Sequence, residues 1–419
     1  MTRGRHAAGD SAFWLFWGAM ATSSFGTAVT TVAFPLVALQ ALDATPFEVS
    51  LLVGAVDLGW LLLGLPAGVI VQRTETRILQ VGMDLVRAVA LLSVPLAWWA
   101  GVLTFTQLLV VATVTGLATV LFDVANATYL PKVVSRETLV ASNSWISGTH
   151  AVSSTAGPSL GGVIVQVLGG VVAVAIDAFT YLVSAFLLRR LPKAPSSSAA
   201  RPQPAREVIS TGLGWIRRHP VMFPCVQWAV VTNLVSGAVA ALTPVYLVRV
   251  LDVSPLVVGI VLAAEGVGAL VGAAVTPWLS TRLGTARVLV WMSVVAAASL
   301  LLLPLAGTAV LVPLFAFGSL VSGGAVVVGS IVTRTHRQTD TPDELLPMVM
   351  AAVRFFTWGV IPVGAVAAGA LASSPVGVQG ALWCTCAVFL AGPLVLLLSP
   401  VRGRRQLSED RGDELVSVG

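Results

Sequence analysis

The sequence predicts an all-α polytopic membrane protein: twelve spanning helices in two pseudo-symmetric six-helix halves, with both termini cytoplasmic. Three observations predict it. Of 419 residues, 56% are hydrophobic and only 10% charged, with a mean hydropathy of +0.91, whereas soluble domains carry about 25% charged residues. Apolar runs near 20 residues long, the length that crosses a bilayer, recur along the whole chain. A single polar break divides these runs six and six.

The runs fall at 12–40, 49–71, 79–101, 103–128, 142–167 and 169–188, then at 222–248, 255–280, 287–306, 308–333, 347–372 and 376–399. They define an N-terminal half, 1–188, and a C-terminal half, 222–399, followed by a tail, 400–419. The opening MTRGRHAAGD is short and basic, and the apolar run after it is too long for a signal segment, so it reads as the first span. The linker, 189–221, begins Pro/Ser/Ala-rich and ends with Val208, Ile209, Leu213, Trp215 and Ile216 among polar residues. Its end reads equally as an interfacial helix or as a plain loop.

Orientation follows from the cations of the loops. With the N-terminus inside, 21 of the 24 Lys and Arg residues face the cytoplasm; Arg249 falls outside, and Arg87 and Arg354 lie within spans. Trp98 and Trp99 then sit at an outer boundary, where indoles are enriched. This distribution accounts for the net charge of +5 without nucleic acid as a partner. Cys225, Cys384 and Cys386 all lie in apolar runs, with neither a disulfide framework nor a zinc spacing.

The halves echo each other. Residues 46–73 and 255–282 align without a gap and share Pro46/Pro255, Val49/Val258, Ala55/Ala264, Gly59/Gly268, Leu61/Leu270 and Arg73/Arg282. Each segment is the second span of its half. Two six-helix parallel repeats are the plan of the major facilitator superfamily.

Further segments carry the same resemblance. AGPSLGG (156–162), with Gly157, Pro158, Gly161 and Gly162, resembles the fifth-helix motif of major facilitator antiporters. FDVANATYLPKVVSRETLVASN (122–143), DLVRA (84–88), IDAFTYLVSA (176–185) and THRQTDTPDELL (335–346) resemble the third drug:proton antiporter family, which includes macrolide and siderophore exporters. The resemblance covers nearly the whole chain and implies the major facilitator fold and proton-coupled efflux. It departs in one loop: GVIVQRTETR (68–77) keeps Gly68, Arg73 and Arg77 but has Gln72 for the family's acid and Thr76 for an arginine. The first span has Thr27 where relatives often carry Asp.

Ionisable groups inside spans are costly and mark functional sites by default. Asp57 and Glu265 enter from the same side to about 12–14 Å, near the midplane, at almost equivalent places of the repeat. They are the candidates for proton coupling or for attracting a cationic substrate. Arg354 is expected to pair with an acid or with substrate. Asp84 and Arg87, three apart on one helical face, are expected to join Asp123, Arg73, Arg77 and Gly68 in a cytoplasmic gate. His150 reads as a packed residue and Asp177 as structural. Thr27, Thr30, Asn126, Gln227, Asn233 and Ser322 are candidates to line a cavity, with Phe355, Phe356 and Trp358 flanking Arg354.

The resulting expectation is a monomeric, multi-pass protein of the bacterial inner membrane that exchanges a drug-like or secondary-metabolite molecule for protons. Two alternatives stay open: an importer or facilitator of a small nutrient, and a non-transporting membrane enzyme or sensor. No catalytic constellation, cofactor motif or metal-ligand cluster is legible, so no enzyme, cofactor or metal is expected.

Overall fold

The computed structural model describes residues 2–64, 66–133, 139–192, 205–342 and 345–408. Among the described residues the regular structure is entirely helical, and twelve helical stretches are long and apolar enough to cross a membrane. The first six spans are α1 (Thr2–Ala41), α2 (Pro46–Leu63) continued by α3 (Pro66–Arg73), α4 (Thr76–Trp99), α5 (Phe105–Val133), α6 (Leu139–Leu168) and α7 (Gly170–Arg189). The linker forms α8 (Ala205–Arg218). The last six are α9 (Met222–Val245), α10 (Pro255–Leu283), α11 (Thr285–Leu300) continued by α12 (Leu302–Leu305), α13 (Val312–Asp340), α14 (Leu346–Gly359) continued by α15 (Ile361–Ala372), and α16 (Gly377–Phe389) continued by α17 (Ala391–Leu397). Because the number of crossings is even, both ends of the chain lie on one face, here the terminal face. Of the loop cations, Arg136, Lys193, Arg201 and Arg411 lie outside the described residues.

Four runs expected as single helices are each broken once. Proline stands within the first three residues of each continuing helix: Pro66, Pro304, Pro362 and Pro393. A proline there has no N–H for the preceding turn, so the helix stops and restarts. Five other prolines, Pro35, Pro95, Pro158, Pro244 and Pro277, stay inside helices, which spans tolerate because neighbouring groups satisfy the freed carbonyl. After Pro244 the chain widens into a π turn, Tyr246–Val250.

The repeat extends beyond the aligned segments. Asp43 and Asp252, equivalent by the same offset, both take left-handed backbone (φ 48° and 50°). Each is followed two residues later by a hydroxyl N-cap, Thr45 or Ser254, and then by Pro46 or Pro255 in the first turn. At α2 the cap is a reciprocal box: Glu48 N–H donates to Thr45 Oγ1 (3.2 Å) and Thr45 N–H to Glu48 Oε2 (2.7 Å). The helix crossings repeat as well. Gly59 and Gly116 bring α2 against α5, and Gly268, Gly272, Gly323 and Gly324 bring α10 against α13. At these positions the backbone of the partner helix occupies the space a Cβ would need.

Every hydrogen bond or ion pair found between the two sets of spans, among the described residues, lies on the face opposite the termini. Arg249 binds Asp43 Oδ1 (2.6 Å) and the Ala44 carbonyl (2.8 Å), and Phe47 N–H donates to Ser373 Oγ (3.0 Å). Deeper contacts join α6 to α10 and α2 to α15. The protein is therefore closed on that face. Helix α8 packs on the last six spans: Gly212 abuts Met348 and Ala352 of α14, and Ile216 is fully buried with Met222 and Val349.

Candidate functional site

A buried polar cluster links α1, α4 and α7. Asp84 and Arg87 form an ion pair that is almost wholly buried. The Arg87 guanidinium lies between the rings of Phe122 (4.3 Å) and Tyr181 (4.2 Å), and reaches Thr119 Oγ1 at 3.4 Å. Tyr181 Oη shares a hydrogen bond with Thr27 Oγ1 on α1 (2.7 Å). Asp177 is 1% exposed, accepts from the Thr180 hydroxyl (3.1 Å) and has Thr30 beside it. Gly26 of α1 sits directly on Asp177 and Thr180, with no room for a side chain. The cluster thus holds one buried guanidinium, one carboxylate paired to it, and a second carboxyl served only by hydroxyls.

A second group spans both sets. Arg354 of α14 lies over the ring of Trp60 on α2 (4.1 Å) and near Trp358 (5.3 Å). The two indoles meet edge to face at 4.9 Å, so a cation–π contact, not an ion pair, holds this arginine. Asp123 of α5 stands within the electrostatic reach of Arg87, His150 and Arg354. It is the acid that Arg87 of α4 and Arg354 of α14 share.

Asp57 lies on a helix face that looks across to the other set of spans, and Glu265 lies at a crossing within its own set. On α2, Ser50 touches Gly369, Gly54 touches Pro362 and Leu61 touches Gly359, so this stripe faces α14 and α15. Asp57 is three residues after Gly54 and four before Leu61, which places it on that stripe. On α10, Val261, Gly268 and Gly272 are buried, and Glu265 falls on the same stripe against Gly323 of α13, yet is itself exposed. Among the described residues neither acid has an ion-pair partner.

The small-residue segment of α6 serves two neighbours. Gly157 and Gly161, four apart, lie against Ala28 and Val29 of α1. Pro158 and Gly162 face the other way: a Cβ on Gly162 would be 2.7 Å from the Pro255 carbonyl and 3.1 Å from Gly259 Cα, on α10. Toward the terminal face α1 and α6 part, leaving a cavity of about 670 Å³ lined by Trp17, Phe25, Trp145, Thr149, Val152 and Ser153, with Ala21 and Gly148. Trp17 Nε1–H donates to Thr149 Oγ1 (2.9 Å), and Trp14, Trp17 and Trp145 meet edge to face.

Comparison with known proteins agrees with this architecture. A family profile described as transmembrane secretion effector matches residues 8–414. The chain belongs to this family, within the major facilitator superfamily. Among curated relatives, the multidrug efflux pump Tap of Mycolicibacterium fortuitum is 27% identical over 84% of this chain and 87% of its own length. The uncharacterized MFS-type transporter YvqJ of Bacillus subtilis (strain 168) is 25% identical over 70% of this chain and 69% of its own. Among solved structures, a point mutant of the nucleoside transporter NupG superposes with a TM-score of 0.73 at 11% identity, covering 92% of this chain and 98% of that one. A bacterial homologue of the iron transporter ferroportin, in an inward-facing state, gives 0.73 at 17% identity, covering 93% and 98%. The chain is thus a membrane transporter and not an enzyme.

The structure places the expected site residues in separate groups. Asp84 and Arg87 do not join Arg73 and Arg77. Arg77 turns to the Leu191 carbonyl (2.7 Å) and to Glu75 (3.6 Å), while Arg73 is exposed. The one gate cluster is therefore two groups, because Arg87 lies about 16 Å along α4 from its start. Gly68 has open space beside it, and the side chain of Gln72 lies outside the described residues. None of Thr27, Thr30, Asn126, Gln227, Asn233 and Ser322 lines the cavity between α1 and α6. Thr27 is committed to Tyr181, Asn233 donates to its own helix at the Ala229 carbonyl (2.8 Å), and Ser322 is buried. His150, expected as a packing residue, is exposed, and Asp177, expected as structural, is buried beneath Gly26 of α1. Nothing in the sequence singles out the cavity aromatics, because they occur where interfacial indoles are commonplace; only the divergence of α1 from α6 joins them.

Proposed function

We propose that this transporter exports bulky apolar or cationic small molecules of the drug-like or secondary-metabolite class, across the bacterial cytoplasmic membrane, in exchange for protons. The terminal face is cytoplasmic in this reading, as the loop cations require. The observation that carries it is the pair Asp57 and Glu265: two carboxyls with no ion-pair partner among the described residues, one position apart in the repeat, Asp57 on the face of α2 toward α14 and α15 and Glu265 at the crossing of α10 with α13. A carboxyl so placed can hold a proton in one state and release it in another. The two sets, 1–188 and 222–399, rock about the contacts of α6 with α10 and of α2 with α15. The cavity under Trp17 and Trp145 supports an apolar aromatic-binding substrate. The likeness to a multidrug efflux pump supports the direction of transport. One charge crossing 100 mV supplies about 2.3 kcal/mol, enough for a roughly fiftyfold concentration ratio.

The test uses inside-out vesicles carrying the protein, acid inside, and a panel of cationic dyes, macrolides and siderophore-like compounds. Compound-dependent proton efflux is expected from the wild type and is expected to be lost in Asp57→Asn or Glu265→Gln. Uptake of compound that leaves the gradient untouched and is the same in both variants would refute proton exchange.

A further inference from the structure

We propose that His219, His336 and Asp340 form a binding site for a divalent transition-metal ion of the Zn²⁺ class, fastening the end of the linker helix to the end of α13 on the terminal face. One ligand atom from each of the three residues lies within 4.8 Å of the others. His219 stands in the corner between α8 and α9; His336 and Asp340 are four apart, and so on one face, in the last turn and a half of α13. His219 Nε2 and Asp340 Oδ2 are 3.0 Å apart. Ligand atoms around a tetrahedral ion with bonds of about 2.0–2.1 Å are separated by roughly 3.3 Å. Closing the third corner is a side-chain adjustment.

The second observation is the state of His336. It is 3% exposed, and its Nε2 has no hydrogen-bond partner, whereas its Nδ1 is 3.0 Å from Ser408 Oγ. A buried imidazole nitrogen without a partner is costly. Anchoring one ring nitrogen on a hydroxyl while the other stays free is how a ligating histidine is held. Two imidazoles and one carboxylate suit zinc, nickel or cobalt better than magnesium or calcium, which take oxygen ligands.

Binding has a definite structural cost. His219 Nδ1 accepts from the amides of Val221 (3.3 Å) and Met222 (3.0 Å), so its proton sits on Nε2 and points at Asp340. Ligation through Nε2 moves that proton to Nδ1 and gives up both amide bonds. The amides of Val221 and Met222 then lose their acceptor, a cost that ligation of the ion has to exceed. The guanidiniums of Arg337 and Arg404 act on His336 and set the affinity lower than in an all-anionic site.

The test is titration of Co²⁺ and Zn²⁺ into the purified full-length transporter with its affinity tag removed, read by the visible Co²⁺ spectrum and by competition with a chromophoric chelator. One tightly bound ion per chain is expected, with intense tetrahedral Co²⁺ bands displaced by Zn²⁺ and a higher Tm in the loaded protein. His336→Ala and Asp340→Asn are each expected to weaken binding at least tenfold; the asparagine keeps a hydrogen bond to His219 and so keeps the corner folded. No binding to the wild type, or binding unchanged in both variants, would overturn the site. Transport need not be assayed, so the outcome is independent of the proposed export function.

Discussion

At the scale of single residues, burial decides what each charge can do. Arg87 and Asp84 are legible in the sequence as an i, i+3 pair, but not their depth or the two aromatic rings that hold the guanidinium. Breaking a buried pair by removing one partner costs about 3–5 kcal/mol, because the remaining charge is left alone in a low-dielectric interior. Arg87→Met is therefore expected to lower the thermal midpoint of the detergent-solubilised protein sharply. The double variant Asp84→Asn, Arg87→Met is expected to recover part of that loss, and a double-mutant cycle of the midpoints measures it. Asp177 makes the contrasting case. Its partners are hydroxyls, which an amide serves as well, so Asp177→Asn is expected to leave the midpoint within about 1 kcal/mol equivalent of the wild type. A collapse of the protein on that change would show that a cation, and not Thr180, satisfies Asp177.

Elements follow rules that are local in part. Proline near the start of α3, α12, α15 and α17 breaks each run, and the Thr45–Glu48 box starts α2. Thr45→Ala is expected to cost about 1 kcal/mol, seen as a small drop in midpoint with transport retained. Helix contacts are set by glycine instead. Gly162 leaves room for Gly259, and the carbonyl of Pro255 lies where its Cβ would be. Gly162→Leu must push α6 from α10 and costs about 1–3 kcal/mol of overpacking. Because this contact closes the face opposite the termini, the variant is expected to favour the conformation open there. In a background without native cysteines, a cysteine at position 47 should then react faster with an impermeant maleimide; an unchanged rate would remove Gly162 from the closing contact.

Across the whole molecule, the hydrogen bonds and the ion pair between the two sets of spans lie on the face opposite the termini, and the cavity between α1 and α6 lies toward the terminal face. Its aromatic lining, not the polar residues of the inner spans, is expected to govern affinity. Trp17→Ala and Trp145→Ala are expected to raise the apparent KM for bulky apolar substrates about three- to tenfold, with proton coupling per turnover unchanged. Equal transport kinetics in both variants would place the substrate elsewhere.

The class, the twelve spans, the six-and-six division, the repeat and the family resemblance are all legible in the order of amino acids. Each of these is a periodic or compositional property, and a bilayer imposes it on every spanning segment one at a time. Asp57 and Glu265 stand out in the same way, since an acid in an apolar run is conspicuous without any neighbour. Which charges meet is set by how the helices pack. Arg77 turns to a backbone carbonyl, Arg354 lies on an indole, Asp123 comes within reach of two arginines, and His219 comes beside His336 and Asp340 across more than a hundred residues. Helix rotation and tilt settle such meetings, and those depend on which small residues let two particular helices approach. That is a property of pairs of surfaces, which no single stretch of sequence contains.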